Sequence, residues 1–280
     1  MNRTLRASNT STPLPRSYLF VPGDRPERFD KALASGADAV ILDLEDAVPV
    51  AAKEAAREAA LHWLSARAPT ASPQIVVRIN AVGTPQHEAD VDACRHGMHA
   101  VVLPKSEQVD DLARLARTLP GVALLPLIET AAGFAAALEL ARAPAVQRLV
   151  FGSIDFQHDL GIDGEGDELL FFRSQLVLYS RLASRAAPVD GVSTVLDDAA
   201  RVHTEALRAR RLGFGAKLCI HPKQITPVHA AFAPTAAQLD WARRVMAAAD
   251  AAGGAAVALD GAMVDRPVIL RAQALLDQAR

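Results

Sequence analysis

The sequence predicts an α/β fold, a (β/α)8 TIM barrel followed by a helical and β-turn appendage, and three observations carry that expectation. Short apolar runs rich in Val, Ile and Leu alternate with Ala-rich amphipathic stretches, the form that repeated β-α units on a parallel sheet take. Eight such runs can be read between Ser17 and Ile220, the number that closes a barrel. Polar residues gather at the C-terminal ends of the runs, the rim where barrels of this class carry their chemistry.

Strands are expected over 17–21, 39–45, 74–80, 100–104, 123–129, 148–152, 189–193 and 216–220. Helices are expected over 25–35, 50–67, 86–95, 107–118, 131–142, 167–186, 197–211 and 222–232. The fifth unit is the clearest. Leu124-Leu125-Pro126-Leu127-Ile128 is continuously apolar, as a strand buried on both faces must be, and it delivers Glu129 to the rim. Thr130-Ala131-Ala132-Gly133 then opens the next helix with a capping residue. The sixth run, Leu149-Val150-Phe151, delivers Asp155 in the same way. Two acids so placed can share a hard cation.

A chain of 280 residues, half of them apolar, suffices for one core, since such barrels take ~200–250 residues. Residues 16–232 are read as that domain, and 233–280 as an appendage that packs on a neighbouring subunit. Within it, 235–252 reads as a helix, Gly253-Gly254 breaks it, Val257–Val264 makes a strand-turn-strand signal, and Pro267 starts a last helix. Residues 1–15 are acid-free and rich in Ser and Thr. They read as a disordered leader in preference to an organellar transit peptide.

A net charge of −2 and a pI near 6.4 point away from nucleic acid and from a polybasic membrane surface. No run approaches the ~18 apolar residues of a membrane helix. Cys94 and Cys219 form no CxxC pair, which suggests no disulfide framework and fits a reducing cytoplasm.

The rim residues fall strand by strand: Asp43, Glu45 and Asp46 after the second, Arg78 and Asn80 at the third, Lys105 and Glu107 after the fourth. Glu129, Asp155, Ser193 and His221 follow at the fifth to the eighth. Some have competing roles. Asp43 either faces the mouth or caps the following helix, and Arg78 either serves a substrate or pairs with Asp43 or Glu45. Lys105 at a strand end could be a Schiff-base nucleophile. Cys94-Arg95-His96-Gly97-Met98-His99 fits no tetrahedral zinc spacing and reads as a turn at the opposite rim. His158 offers a soft nitrogen to a hard ion and is read as a lid residue; His221 is read as a hydrogen-bonded structural histidine.

Several segments in one order carry a resemblance: Arg16-Ser-Tyr-Leu-Phe-Val-Pro-Gly-Asp-Arg-Pro, Leu42-Asp-Leu-Glu-Asp-Ala-Val-Pro, Val77-Arg-Ile-Asn and Val102-Leu-Pro-Lys-Ser-Glu. Leu127-Ile-Glu-Thr-Ala-Ala-Gly, Phe214-Gly-Ala-Lys-Leu-Cys-Ile-His-Pro and Asp260-Gly-Ala-Met-Val-Asp-Arg-Pro-Val extend it to the C-terminus. From Arg16 onward the chain resembles the citrate lyase β-subunit family, which includes malyl-CoA and citramalyl-CoA lyases.

The resemblance implies reversible cleavage of a 3-hydroxyacyl thioester to an acyl thioester, such as acetyl-CoA, and a 2-oxo acid. It implies Mg²⁺, with Mn²⁺ as a substitute, held by Glu129 and Asp155, while Glu45 and Asp46 hydrogen-bond the metal's waters. Arg78 becomes the cation at the substrate oxygen that gains charge, and Asp265 the acid/base at the thioester methyl carbon, supplied across a subunit boundary. Arg25 and Lys31 become the contacts to the CoA phosphates. Lys105 takes an electrostatic role, because the family's chemistry is metal-based. A homotrimer or hexamer is expected. Alternatives are a citrate lyase β subunit working on an acyl-carrier-protein thioester, and a CoA-free, metal-dependent pyruvate aldolase.

Overall fold

Eight parallel strands close on themselves in the computed structural model, which describes residues 14–67, 72–95, 97–251, 253 and 256–278. They are β1 (Ser17–Pro22), β2 (Ala39–Asp43), β3 (Gln74–Arg78), β4 (Ala100–Leu103), β5 (Ala123–Ile128), β6 (Val150–Phe151), β7 (Val189–Asp190) and β8 (Ala216–Cys219). Each pairs with its successor, and Ser17 opposite Lys217 joins β1 to β8. The expected barrel is the observed one.

Period-two alternation sorts the strand residues into two layers. Tyr18, Ile41, Val76, Val102, Leu125 and Leu218 are among those that fill the interior. Their neighbours in sequence, such as Val40, Leu42, Val77 and Leu124, are equally buried, as strands covered on both faces require.

β6 and β7 are two residues each, shorter than expected, and meet only at Val150 opposite Val189. Side-chain bonds supplement a short ladder whose backbone bonds include Val189 N–H to Leu149 and Ala186 N–H to Gln147. The buried Arg148 donates to the carbonyls of Ala187, Pro188 and Pro15, and Pro188 has no N–H for a partner strand.

The helices are α1 (Phe29–Leu33), α2 (Lys53–Ser65), α3 (His87–Ala93), α4 (Val109–Thr118), α5 (Ala131–Arg142), α6 (Ser153–Leu160), α7 (Leu170–Leu182), α8 (Ala199–Leu212) and α9 (Ile225–Phe232). Tight 3-10 turns precede α1, α2, α7 and α9, at Pro26–Arg28, Val50–Ala52, Asp167–Leu169 and Pro222–Gln224. The unexpected element is α6, directly after β6 and closed by Gly161 in the left-handed conformation. The predicted helix over 167–186 is the next one, α7.

A buried ion triad fixes α7 to the barrel wall. Val189, Ala216 and Leu218 belong to the interior, so Asp190 and Lys217 alternate outward. There Asp190 accepts from Lys217 Nζ at 3.2 Å and from Arg173 Nε, on α7, at 2.9 Å.

The chain divides into two compact units at Val228/His229, inside α9. The second holds α10 (Ala236–Ala251), the antiparallel hairpin β9 (Val257–Leu259) and β10 (Ala262–Val264), and α11 (Arg266–Asp277). Ala242, Val245, Val264, Ala272 and Leu275 form its own core. Among the described residues, no helix is long and apolar enough to cross a membrane. The expected leader lies outside the described residues apart from Leu14 and Pro15.

Candidate active site

The parallel register sets Asp43, the last residue of β2, opposite Arg78, the last of β3. Both are buried. Arg78 Nε donates to Asp43 Oδ1 at 2.7 Å and Nη2 to Oδ2 at 2.6 Å, a fork-to-fork pair. Nη1 lies 3.1 Å from Glu45 Oε2, and the guanidinium sits over the Phe20 ring at 4.8 Å. Burial opposes the Arg78 charge, but Asp43 and Glu45 outweigh it and hold the guanidinium firmly protonated. Asp43 also accepts from the backbone N–H of Glu45 at 2.9 Å and of Ala47 at 3.2 Å. Asp43 therefore lines the mouth and pins the turn after β2, but it caps no helix, since the next helical turns follow Pro49 and Ala52 without a side-chain cap.

Glu129 is the first residue beyond β5 and is 1% exposed. Its Oε1 accepts from the Lys105 backbone N–H at 2.7 Å, while its buried Oε2 has no hydrogen-bond partner. Burial above all, then the charges of Glu45 and Asp155, push this carboxyl up to about 8, against the pull of Lys105. Gly152 makes room for it. A Cβ at residue 152 would stand 2.5 Å from Glu129 Cβ and 2.8 Å from Oε2.

Asp155 was expected just past a strand but lies in the first turn of α6. The chain turns at Gly152 and begins a helix two residues before this acid. Asp155 is exposed and close enough to Glu129 to raise its proton affinity.

Glu45 is 4% exposed and accepts from Lys105 Nζ at 2.7 Å. Burial lowers the Lys105 ammonium's pKa, yet the bond to Glu45 and the surrounding acids raise it further. A firmly protonated amine is a poor Schiff-base nucleophile. Arg78, Asp46, Glu129 and Asp155 line a cavity of about 360 Å³, together with apolar side chains that include Leu127 and Val192.

The fold thus brings Glu45, Asp46, Arg78, Glu129 and Asp155 to one mouth. Arg25 and Lys31 are exposed, in the turn after β1 and on α1, and neither lines the cavity. Asp265 belongs to the second unit, where it caps α11 by accepting from the Val268 N–H at 3.3 Å. His221 caps the turn before α9 through Nδ1, and Ser193 donates to Glu205. His158 is exposed on α6. Cys94 ends α3 and is buried, and the Ile75 N–H donates to His99 Nδ1 at 3.0 Å; His96 lies outside the described residues. Sequence reasoning missed the N–H of Lys105, the clearance at Gly152 and the Phe20 ring. A Gly directly before a polar helix start was the one available signal.

Among the described residues, no group of three or more His, Cys, Asp or Glu side chains forms a metal cage. Mg²⁺ needs none, because it takes one or two carboxylates and completes its octahedron with water and substrate oxygens. An orphaned, buried carboxylate oxygen beside a second acid fits that demand.

The family model for HpcH/HpaI aldolase/citrate lyase matches residues 16–222. A citrate lyase subunit beta-like protein of Deinococcus radiodurans is 39% identical, over 96% of this chain and 98% of that one. A (3S)-malyl-CoA thioesterase of Cereibacter sphaeroides is 32% identical, over 94% of each chain. The solved structure of CitE from Mycobacterium tuberculosis, in complex with magnesium, acetoacetate and coenzyme A, superposes with a TM-score of 0.83 at 37% identity. It covers 94% of this chain and 97% of that one. The chain belongs to the HpcH/HpaI aldolase/citrate lyase family and is a lyase of its citrate lyase β-like kind.

Proposed function

We propose that this enzyme cleaves, or forms, a 3-hydroxyacyl-CoA thioester such as malyl-CoA or citramalyl-CoA, giving acetyl-CoA and a 2-oxo acid. The observation that carries the proposal is the free, buried Oε2 of Glu129 in a cavity shared with Arg78 and Asp155. Glu129 and Asp155 would hold Mg²⁺, with Mn²⁺ as a substitute. When bound, the ion supplies Lewis-acid polarisation of the oxo-acid oxygens.

In the cleavage direction the substrate hydroxyl gives its proton to water, the carbon–carbon bond breaks, a carbonyl forms, and the electron pair passes to the thioester as an enolate. The released proton restores the acid that quenches the enolate. Arg78 is already oriented by Asp43 and offers its charge to the oxygen that becomes anionic, with no reorganisation at the moment of reaction. Glu45 and Asp46 stand by as acceptors for ordered water. Asp265 returns a proton to the enolate carbon, and in the synthetic direction removes it. Arg25 and Lys31, exposed cations, would pair with the CoA phosphates.

Leu127, Val192 and Leu218 offer apolar contact to the hydrogen or methyl substituent that glyoxylate or pyruvate would carry. The 233–280 segment would pack on a neighbouring subunit in a homotrimer or hexamer and carry Asp265 to the neighbour's mouth. Two buried free thiols, each raised by burial, fit a reducing cytoplasm.

The test is acetyl-CoA release from malyl-CoA and citramalyl-CoA by the purified chain, with Mg²⁺ and again with EDTA. Metal-dependent release, abolished in Glu129→Gln, is the expected result. A folded chain that binds Mg²⁺ and releases nothing from either would turn the assignment to a carrier-protein thioester or a CoA-free aldolase.

A further inference from the structure

Lys105 has an unusual backbone for its residue type. Its φ is +47°, in the left-handed region that side chains with a Cβ rarely adopt. The turn around it is tightly held. Ser106 donates from Oγ to the Leu103 carbonyl at 2.8 Å and from its N–H to Leu127 at 3.2 Å. Gly133 approaches so closely that a Cβ there would stand 2.6 Å from the Ser106 carbonyl oxygen.

This one residue makes two contacts to two different acids. Its N–H meets Glu129 Oε1 at 2.7 Å, and its ammonium meets Glu45 Oε1 at 2.7 Å. A residue confined to negative φ, two positions past β4, could not keep both this peptide plane and the anchored Ser106 turn in place, and Glu129 would then lose its N–H partner. The bond at Oε1 leaves Oε2 as the unpartnered oxygen. Strained backbone at a site persists when surrounding contacts over-determine it, and the Ser106 hydrogen bonds together with the Lys105–Glu45 ion pair do so here.

We propose that Lys105 is a positioning residue: its left-handed backbone directs its N–H to Glu129 Oε1 and so leaves Oε2 as the unpartnered oxygen. The inference rests on the metal-site reading given under Proposed function. It assigns this position a backbone role that is neither nucleophilic nor a substrate contact.

Two substitutions separate backbone from charge, because both delete the ammonium and only one tolerates positive φ. Lys105→Gly adopts the left-handed conformation without strain, whereas Lys105→Met does not. Affinity for Mn²⁺ is measured on the full chain without substrate, by the paramagnetic resonance of free aqueous Mn²⁺, with thermal midpoints recorded in parallel. The expected result is that Lys105→Gly binds within about threefold of the unmodified chain, while Lys105→Met binds at least about fivefold more weakly than Lys105→Gly. Should Lys105→Met not fold, Lys105→Ala takes its place in the same comparison. Equal affinity of the Gly and Met (or Ala) variants overturns the positioning role alone. Absence of Mn²⁺ binding by the unmodified chain overturns the metal reading and this inference with it.

Discussion

Asp43 grips Arg78 through two parallel hydrogen bonds of 2.7 and 2.6 Å, and both residues are the last of adjacent parallel strands. Strand register alone sets the pair in place. Asp43→Asn would keep the shape but leave the guanidinium with a single acidic partner, Glu45, in a buried setting. Loss of one member of a buried pair costs about 3–5 kcal/mol. Glu45 retains part of the compensation, so a loss near the lower end is expected in urea unfolding. Arg78→Lys removes the fork while keeping the charge, and should lower kcat by about 10²–10³-fold with a smaller effect on stability. Steady-state kinetics beside unfolding curves would separate the two. A lysine variant with unimpaired kcat would remove Arg78 from the chemistry.

Gly152 lies between Glu129 and the start of α6, and a methyl group there has no room: the nearest atoms would be Glu129 Cβ at 2.5 Å and Oε2 at 2.8 Å. Gly152→Ala should therefore push the carboxylate off its position. Overpacking of this kind costs about 1–3 kcal/mol. Calorimetric titration with Mg²⁺ should show affinity reduced at least about tenfold, a larger effect than the stability loss alone would give. Unchanged affinity would mean that Glu129 does not hold the metal from this position.

Much of this was legible in the residues because strand periodicity and rim placement are local signals. Leu124–Ile128 followed by Glu129 and Thr130 could be read almost to the residue, and α5 begins at Ala131 with the Thr130 hydroxyl accepting from the Gly133 N–H. The helix α6 was not legible. Ser153-Ile-Asp-Phe-Gln-His-Asp-Leu follows a two-residue strand and is too short for periodicity to distinguish from a loop. Lys105 was legible as a rim lysine, but a left-handed backbone at a non-glycine position leaves no mark in composition. The contacts around it are tertiary, among them the pair with Glu45, sixty residues away in the chain.

Asp190 offers a pH test far from the metal chemistry. Burial works against its charge, but Lys217 and Arg173 more than compensate, so its pKa is lowered from the ordinary 3.8. With the folded pKa below the unfolded one, the stabilisation is fully present above the unfolded value and is lost as pH falls through the folded value. Asp190→Asn leaves two buried cations without their acid and should cost about 3–5 kcal/mol at pH 7. The gap between the variant and the unmodified chain should stay constant down to about pH 5 and narrow below pH 4. Urea midpoints across that range would show it. A gap that widens on acidification would contradict the paired state of Asp190.

Asp265 accepts from the Val268 N–H at the start of α11, a bond that an Asn side chain can also accept, so Asp265→Asn should preserve the cap. A thermal midpoint close to that of the unmodified chain is expected. Mg²⁺ and pyruvate binding should also persist, because Glu129, Asp155 and Arg78 belong to the other compact unit. Proton transfer at the thioester carbon should be lost, lowering kcat by about 10²–10⁴-fold. Two inactive variants then test where the acid acts. If Asp265 serves a neighbouring subunit's mouth, mixing unfolded Arg78→Lys and Asp265→Asn chains and refolding them together creates some mouths with both residues intact, and activity returns. The same mixture stays inactive if each chain supplies its own Asp265, and either variant refolded alone is the control.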